Sequence, residues 1–196
     1  MQQTVLRAFR YVLDPTPAQA AALNRHAGAA RWAFNYALAA KIAAHEEWKR
    51  QVAELVASGV PEEQARKQVK VKIPAKPEIQ KTLNQVKGDS RKGIDGVCPW
   101  WHEVNTYCFQ SAFLDADTAW RNWLDSLQGK RAGRKVGYPR FKHKGSRASF
   151  RLHHDVKRPT IRLAGYRRLR LPTIGEVRIH GTGKHLARLV ERGDAV

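Results

Sequence analysis

The sequence predicts an α+β protein: a small antiparallel β-barrel interrupted by an inserted helical bundle. Three observations lead there. A strand-like segment opens the chain, several more close it, and everything between them has helical periodicity. The first strand most simply pairs with the late ones, which makes the helical block an insertion.

Residues 4–13 alternate loosely and are rich in β-branched and aromatic side chains, so they read as a strand that Asp14-Pro15 ends. Thr16, Pro17 and Gln19 form a helix start: an N-cap hydroxyl, a first-turn proline and the far member of a capping box. That helix is expected to run to about His26, break at Gly28, and resume from Ala29 to Ala57. The second part carries the stripe Phe34, Leu38, Ile42, His45, Trp48, Val52, Val56. Residues 62–77 read as a short helix and a linker, 78–87 as a helix, and Gly88 to Pro99 as a loop. A strong helix is expected over Trp100–Leu127, with Val104, Cys108, Phe109, Phe113, Ala116, Trp120, Trp123 and Leu127 on or beside one stripe. Residues 128–147 are a Gly- and Lys-rich loop. Strands are expected at 148–152, 160–163, 167–171 and 176–180, separated by Pro159, Gly165, Pro172 and Gly175.

Charge is concentrated at one end. The 196 residues carry a formal net charge of +19. Residues 1–129 contribute +4 of it and residues 130–196 contribute +15. From Lys130 to Arg170 there are 15 basic residues and one acid, Asp155. The same stretch holds aromatic and β-favouring residues, which argues for a folded surface over a disordered tail. A polyanion is the expected partner, and nucleic acid is the commonest. No apolar run approaches a membrane span and the N-terminus lacks a secretory h-region, so a cytoplasmic, nucleoid-associated protein is expected.

Catalytic constellations are not evident. The acids neighbour Arg or Lys on helix surfaces, and Asp95-Gly96 reads as a turn. Two cysteines, Cys98 and Cys108, exclude an all-cysteine zinc site, and Cys108 sits on the apolar stripe. No phosphate-cradling glycine loop of the known spacings occurs. No cofactor or metal is therefore expected within this chain.

Two features suit nucleic acid. The helix–glycine–helix at 17–57 could form a helix-turn-helix, with Arg31, Asn35 and Lys41 as groove readers, or a plain helical hairpin. The sharper feature is Lys135-Val136-Gly137-Tyr138-Pro139-Arg140-Phe141-Lys142-His143-Lys144, with Arg147 and Arg151 beyond it. Its cations can meet phosphates and its rings can stack on bases or anchor the loop. Phe141 and Phe150 are expected to be anchors.

Several blocks resemble TnpB, a family of transposon-encoded RNA-guided nucleases related to type V CRISPR effectors. Arg10 to Gln19 resembles the family's opening, and Gly28 to Leu38 continues it. Trp101 to Trp123 resembles a second block, with Glu103, Val104, Phe109, Gln110, Leu114, Asp117, Trp120 and Asn122 in place. Val136 to Arg151 resembles a third, and Arg168 to Gly175 looks like the strand that follows.

The resemblance implies a wedge β-barrel interrupted by a helical recognition lobe. The wedge's first strand would be 1–15, the lobe 16–128, and the basic loop with the remaining strands 129–196. It implies guide RNA and a target DNA duplex as partners. Gln110 matches a position that faces the motif beside the target, and Thr106 lies one turn earlier. Arg7, Arg10, Arg31, Asn35, Lys135, Tyr138, Arg140, Lys142, Lys144, Arg147, Arg151, Arg168 and Arg170 complete the expected nucleic-acid contacts. The family continues into a RuvC-like nuclease domain with metal-binding acids, where magnesium is expected. None of those acids is present here, so the expectation is a truncated, non-cleaving binding part, with a nuclease half perhaps encoded separately. A stand-alone helix-turn-helix DNA binder and a basic RNA-packing protein remain the alternatives.

Overall fold

The capping residues do what their spacing requires. Gln19 N donates to Thr16 Oγ1 (3.3 Å) and Thr16 N donates to Gln19 Oε1 (3.1 Å), closing a capping box ahead of helix α1, Pro17–Ala57. The structure, a computed structural model, describes residues 8–145, 147–154 and 160–192. The chain divides into two units: residues 1–25 with 152–196, and residues 26–151.

The first unit holds strands β1 (Val12–Asp14), β2 (Arg162–Leu163), β3 (Arg168–Leu171) and β4 (Gly175–His180). All pairings are antiparallel, in the order β1-β4-β3-β2. The expected pairing of the first strand with a late one is present: Leu13 faces Ile179 across β1 and β4. The expected barrel is corrected to an open sheet among the described residues. Its edge strands are only three and two residues long, too short to meet and close it. Val177 and Ile179 are buried on one face, while Arg168, Arg170 and Arg178 point to the other. Gln19 Nε2 donates to Glu176 O (2.8 Å), tying the start of α1 to β4. An additional helix, which the sequence reading passed over, covers Lys184–Glu191.

The second unit is helical. Helices α2 (Glu62–Gln68), α3 (Lys76–Val86) and α4 (Tyr107–Leu127) follow α1. The expected break at Gly28 does not occur; α1 is continuous through it. An interior glycine costs only about 1 kcal/mol, and the buried residues around it, Ala27, Ala29, Ala30, Ala33, Phe34, Ala37 and Leu38, outweigh that. Helix α4 starts later than expected, because Val104 is extended (φ −130°, ψ 160°) and Asn105 Oδ1 accepts from Tyr107 N (2.9 Å), an Asx turn that launches the helix. Residues 148–152 form no strand.

The core joins these helices through rings and one ion pair. Phe113 and Leu38 are fully buried. Trp32 meets Phe109 edge-on with centroids 6.1 Å apart. Lys41 is buried, donates to Pro74 O (2.6 Å), and pairs with Asp117 Oδ1 (2.8 Å), whose Oδ2 accepts from Lys76 N (3.0 Å). The loop after α3 closes on itself. Asp89 N donates to Ile94 O (2.8 Å), Val97 N to Val86 O (2.9 Å) and Cys98 N to Lys87 O (3.0 Å). A Cβ on Gly88 would lie 2.6 Å from Ile94 O, and one on Gly96 would lie 2.4 Å from Gly88 N. The Asp95-Gly96 pair thus sits in a backbone crossing.

Candidate nucleic-acid interface

The segment 135–151 has no regular secondary structure, yet it is held at many points. Val136 N donates to Ser126 Oγ on α4 (3.0 Å). Tyr138 inserts its ring against Trp123 (4.7 Å), Trp120 (5.7 Å) and His45 (6.0 Å). The Asn35 amide grips the backbone of Lys142 at both ends: Nδ2 donates to Lys142 O (2.9 Å) and Oδ1 accepts from Lys142 N (2.8 Å). The Lys142 ammonium lies 4.2 Å from the centre of the Phe34 ring. Phe150 packs on the buried His26 ring (5.3 Å), and Arg151 pairs with Asp115 and donates to Ser111 O (3.4 Å). These tethers explain why residues 129–151 group with the helices rather than with the late strands.

The result is a shaped, positively charged loop. Lys135, Arg140, Lys144 and Arg147 are exposed, and among the described residues none of them forms an ion pair. Phe141, expected as an anchor, is 44% exposed; Tyr138, at 37%, is seated among rings. Burial pushes the Tyr138 phenol above its ordinary value and pulls the His45 imidazole below its own, with the Lys49 charge adding to the latter.

The other expected residues fall in three places. Arg31 is half-buried on α1, one turn before Phe34 and Asn35. Lys41, a suggested groove reader, is buried in the core and reads nothing. Thr106 and Gln110 line a cleft of about 290 Å³ with Gln80, Asn84 and Lys87, where the Lys87 ammonium lies 3.8 Å from the Trp101 ring centre. In the sheet unit, Arg10 is exposed, and Arg168 and Arg170 alternate outward along β3. Arg168 faces Arg178, and Arg170 faces Arg162 and Glu176 across the strands. Glu176 lies 3.8 Å from Arg168, and Asp14 lies 3.7 Å from Arg178. Arg7 lies outside the described residues. Sequence reading overlooked Arg162 and Arg178; the same period-two alternation that marks Arg168 and Arg170 was their signal.

Among the described residues, no three His, Cys, Asp or Glu side chains converge as a metal site. Cys98 and Cys108 are buried, and that burial pushes each thiol up to about 12. No helix of the described residues is long and apolar enough to cross a membrane.

With this geometry in view, comparisons with known proteins place the chain. Residues 1–50 match the helix-turn-helix domain family HTH_OrfB_IS605. The chain is 34% identical, over 191 residues, to “Putative RNA-guided DNA endonuclease MT2953” of Mycobacterium tuberculosis strain CDC 1551. It has the same identity to “Putative RNA-guided DNA endonuclease Rv2885c” of strain H37Rv. The match covers 97% of this chain and 37% of each relative, so the chain spans little more than a third of their length. It carries an OrfB-type domain at its N-terminus and corresponds to the N-terminal part of these TnpB-like proteins, as its motifs imply.

Proposed function

We propose that this chain is a nucleic-acid-binding part of a TnpB-like transposon protein, which holds a guide RNA and a target DNA duplex without itself cutting. The observation that carries this reading is the basic loop 135–147. Its cations have no acidic partners among the described residues, while its backbone is fixed by Asn35, Ser126 and the Tyr138 rings. A fixed array of cations suits a backbone of defined shape, so protein would read shape and base pairing would read sequence. The OrfB-type domain and the relatives support nucleic-acid binding. Thr106 and Gln110, in their cleft beside Lys87, are the proposed contacts to the target-side duplex.

The test is RNA co-purification from a native host, with the bound RNA sequenced. The comparison is a variant with Lys135, Arg140, Lys142 and Lys144 changed to Ala. Alanine at Lys142 keeps the backbone atoms that Asn35 grips, so the loop should stay in place. The expected result is one defined transposon-end RNA, lost in the variant. With ~4 fewer phosphate contacts, the variant's log affinity should depend on log salt less steeply by about 3. Recovery of a random RNA mixture, unchanged in the variant, would overturn the reading. A stand-alone DNA binder would instead lose duplex binding on Arg31→Ala and keep its RNA affinity.

A further inference from the structure

Four basic side chains of the helical unit surround one small recess. Arg31 comes from α1; Lys142, His143 and Arg147 come from the basic loop; Ser149 and Ala27 complete the lining. No carboxylate lines it. Gathering like charges is unfavourable unless an anion is bound between them.

The recess is small. Its free volume is about 20 Å³, room for one water-sized atom and too little for a nucleobase. Arg31 and Arg147 form no ion pair with any described acid. Guanidinium groups present forked donors that match phosphate oxygens, and the Ser149 hydroxyl can add a further donor.

The geometry is also built in advance. Arg31, Phe34 and Asn35 stand at i, i+3 and i+4, so they share one face of α1. Phe34 underlies the Lys142 ammonium, and Asn35 holds the Lys142 backbone. One helix face therefore supplies one arginine and fixes the loop that brings the other cations.

We propose that this recess binds a single phosphate group, taking one non-bridging oxygen of the RNA backbone between Arg31 and Arg147. The proposal rests on the RNA-binding reading above and assigns one contact within it.

The test uses the full chain and a labelled single-stranded RNA. Arg31→Gln and Arg147→Gln should each weaken binding about tenfold. Because both would serve one phosphate, the double variant should be no more than about twofold weaker than either single. The double variant should also depend on salt less steeply, by ~0.7 in the log–log slope for one phosphate on a single strand. Arg50→Gln, which removes an exposed charge elsewhere on α1, should leave affinity unchanged, and unfolding midpoints should confirm that every variant folds.

Losses that multiply in the double variant would mean two separate contacts and would overturn the shared site. Unchanged RNA affinity in both single variants would overturn it as well, while leaving the RNA-binding reading intact. Inorganic phosphate that raises the unfolding midpoint of the wild type alone, with no effect of the variants on RNA, would make this a free-phosphate site and overturn the RNA assignment. Failure of the unaltered chain to bind any RNA would instead overturn the broader reading.

Discussion

The helical unit and the sheet unit both display arginine and lysine, but they position them by different means. In the helical unit the cations ride on irregular backbone, so side chains must hold it: the Asn35 amide, the Ser126 hydroxyl and the ring of Tyr138. In the sheet unit the ladder of β3 and β4 sets the positions, and alternation turns Arg168, Arg170 and Arg178 outward. Regular backbone brings like charges opposite one another, as Arg168 meets Arg178, and nearby acids relieve the repulsion. The loop has no such acids, and its freedom from them is what leaves its charge available. The comparison teaches that an interface on a loop depends on buried neighbours, whereas one on a strand depends on register.

The largest effect expected from this difference is at Lys41. Lys41→Ala leaves the Asp117 carboxylate without its buried ammonium and Pro74 O without its donor, and should cost about 3–5 kcal/mol in urea unfolding. Replacing both partners, Lys41→Met with Asp117→Leu, should restore most of that. A loss below about 1 kcal/mol for the single variant would show that the pair does not hold the helices.

Next is Asn35→Ala. It strips the Lys142 N–H and C=O of their partners and should cost about 1–3 kcal/mol. It should also weaken RNA binding without removing a charge. If RNA affinity survives, the loop is not shaped by this clip, and the contrast between the two units dissolves.

Smaller still is Arg168→Ala. Its ion pair with Glu176 is exposed and long, so stability should change by about 0.2–1 kcal/mol at most. A larger loss in a thermal melt would mean that strand charges are structural after all.

The smallest effect is a pH dependence at His45. Its pKa is lowered in the folded chain, by burial first and the Lys49 charge second, while Glu46 opposes the shift. The unfolded chain therefore takes up the proton first as pH falls. The contribution is present above the ordinary value of 6.5 and is lost as pH drops through the lowered folded one. Urea midpoints taken from about pH 7 to pH 5 should show a slope that His45→Phe reduces.

What the sequence discloses and what it conceals follow from range. The capping box at Thr16 and Gln19 is local, and so was legible. The late strands were legible from their alternation and bounding Gly and Pro, and the partner of β1 from the lack of any other strand to pair with. The Gly28 break failed because a weak local preference lost to burial of one whole helix face. Barrel closure failed because it depends on strand lengths that the pattern overstated. Asn35 was singled out by sequence as a base reader, whereas its amide is engaged with a residue 107 positions away, a bond with no local signature. Arg31 and Arg147 likewise come from distant segments, and only the fold brings them to one recess.

The crossing of Gly88 and Gly96 bears on how this region can diverge. The atoms that a side chain would strike are backbone atoms of the opposing strand of the loop. No second substitution can shrink a backbone atom, so neither glycine has a compensating partner elsewhere in the chain. Point changes there are dead ends for a lineage. Drift in this loop must proceed by insertion or deletion, which moves the crossing as a whole, and relatives should therefore differ here in length before they differ in these two residues.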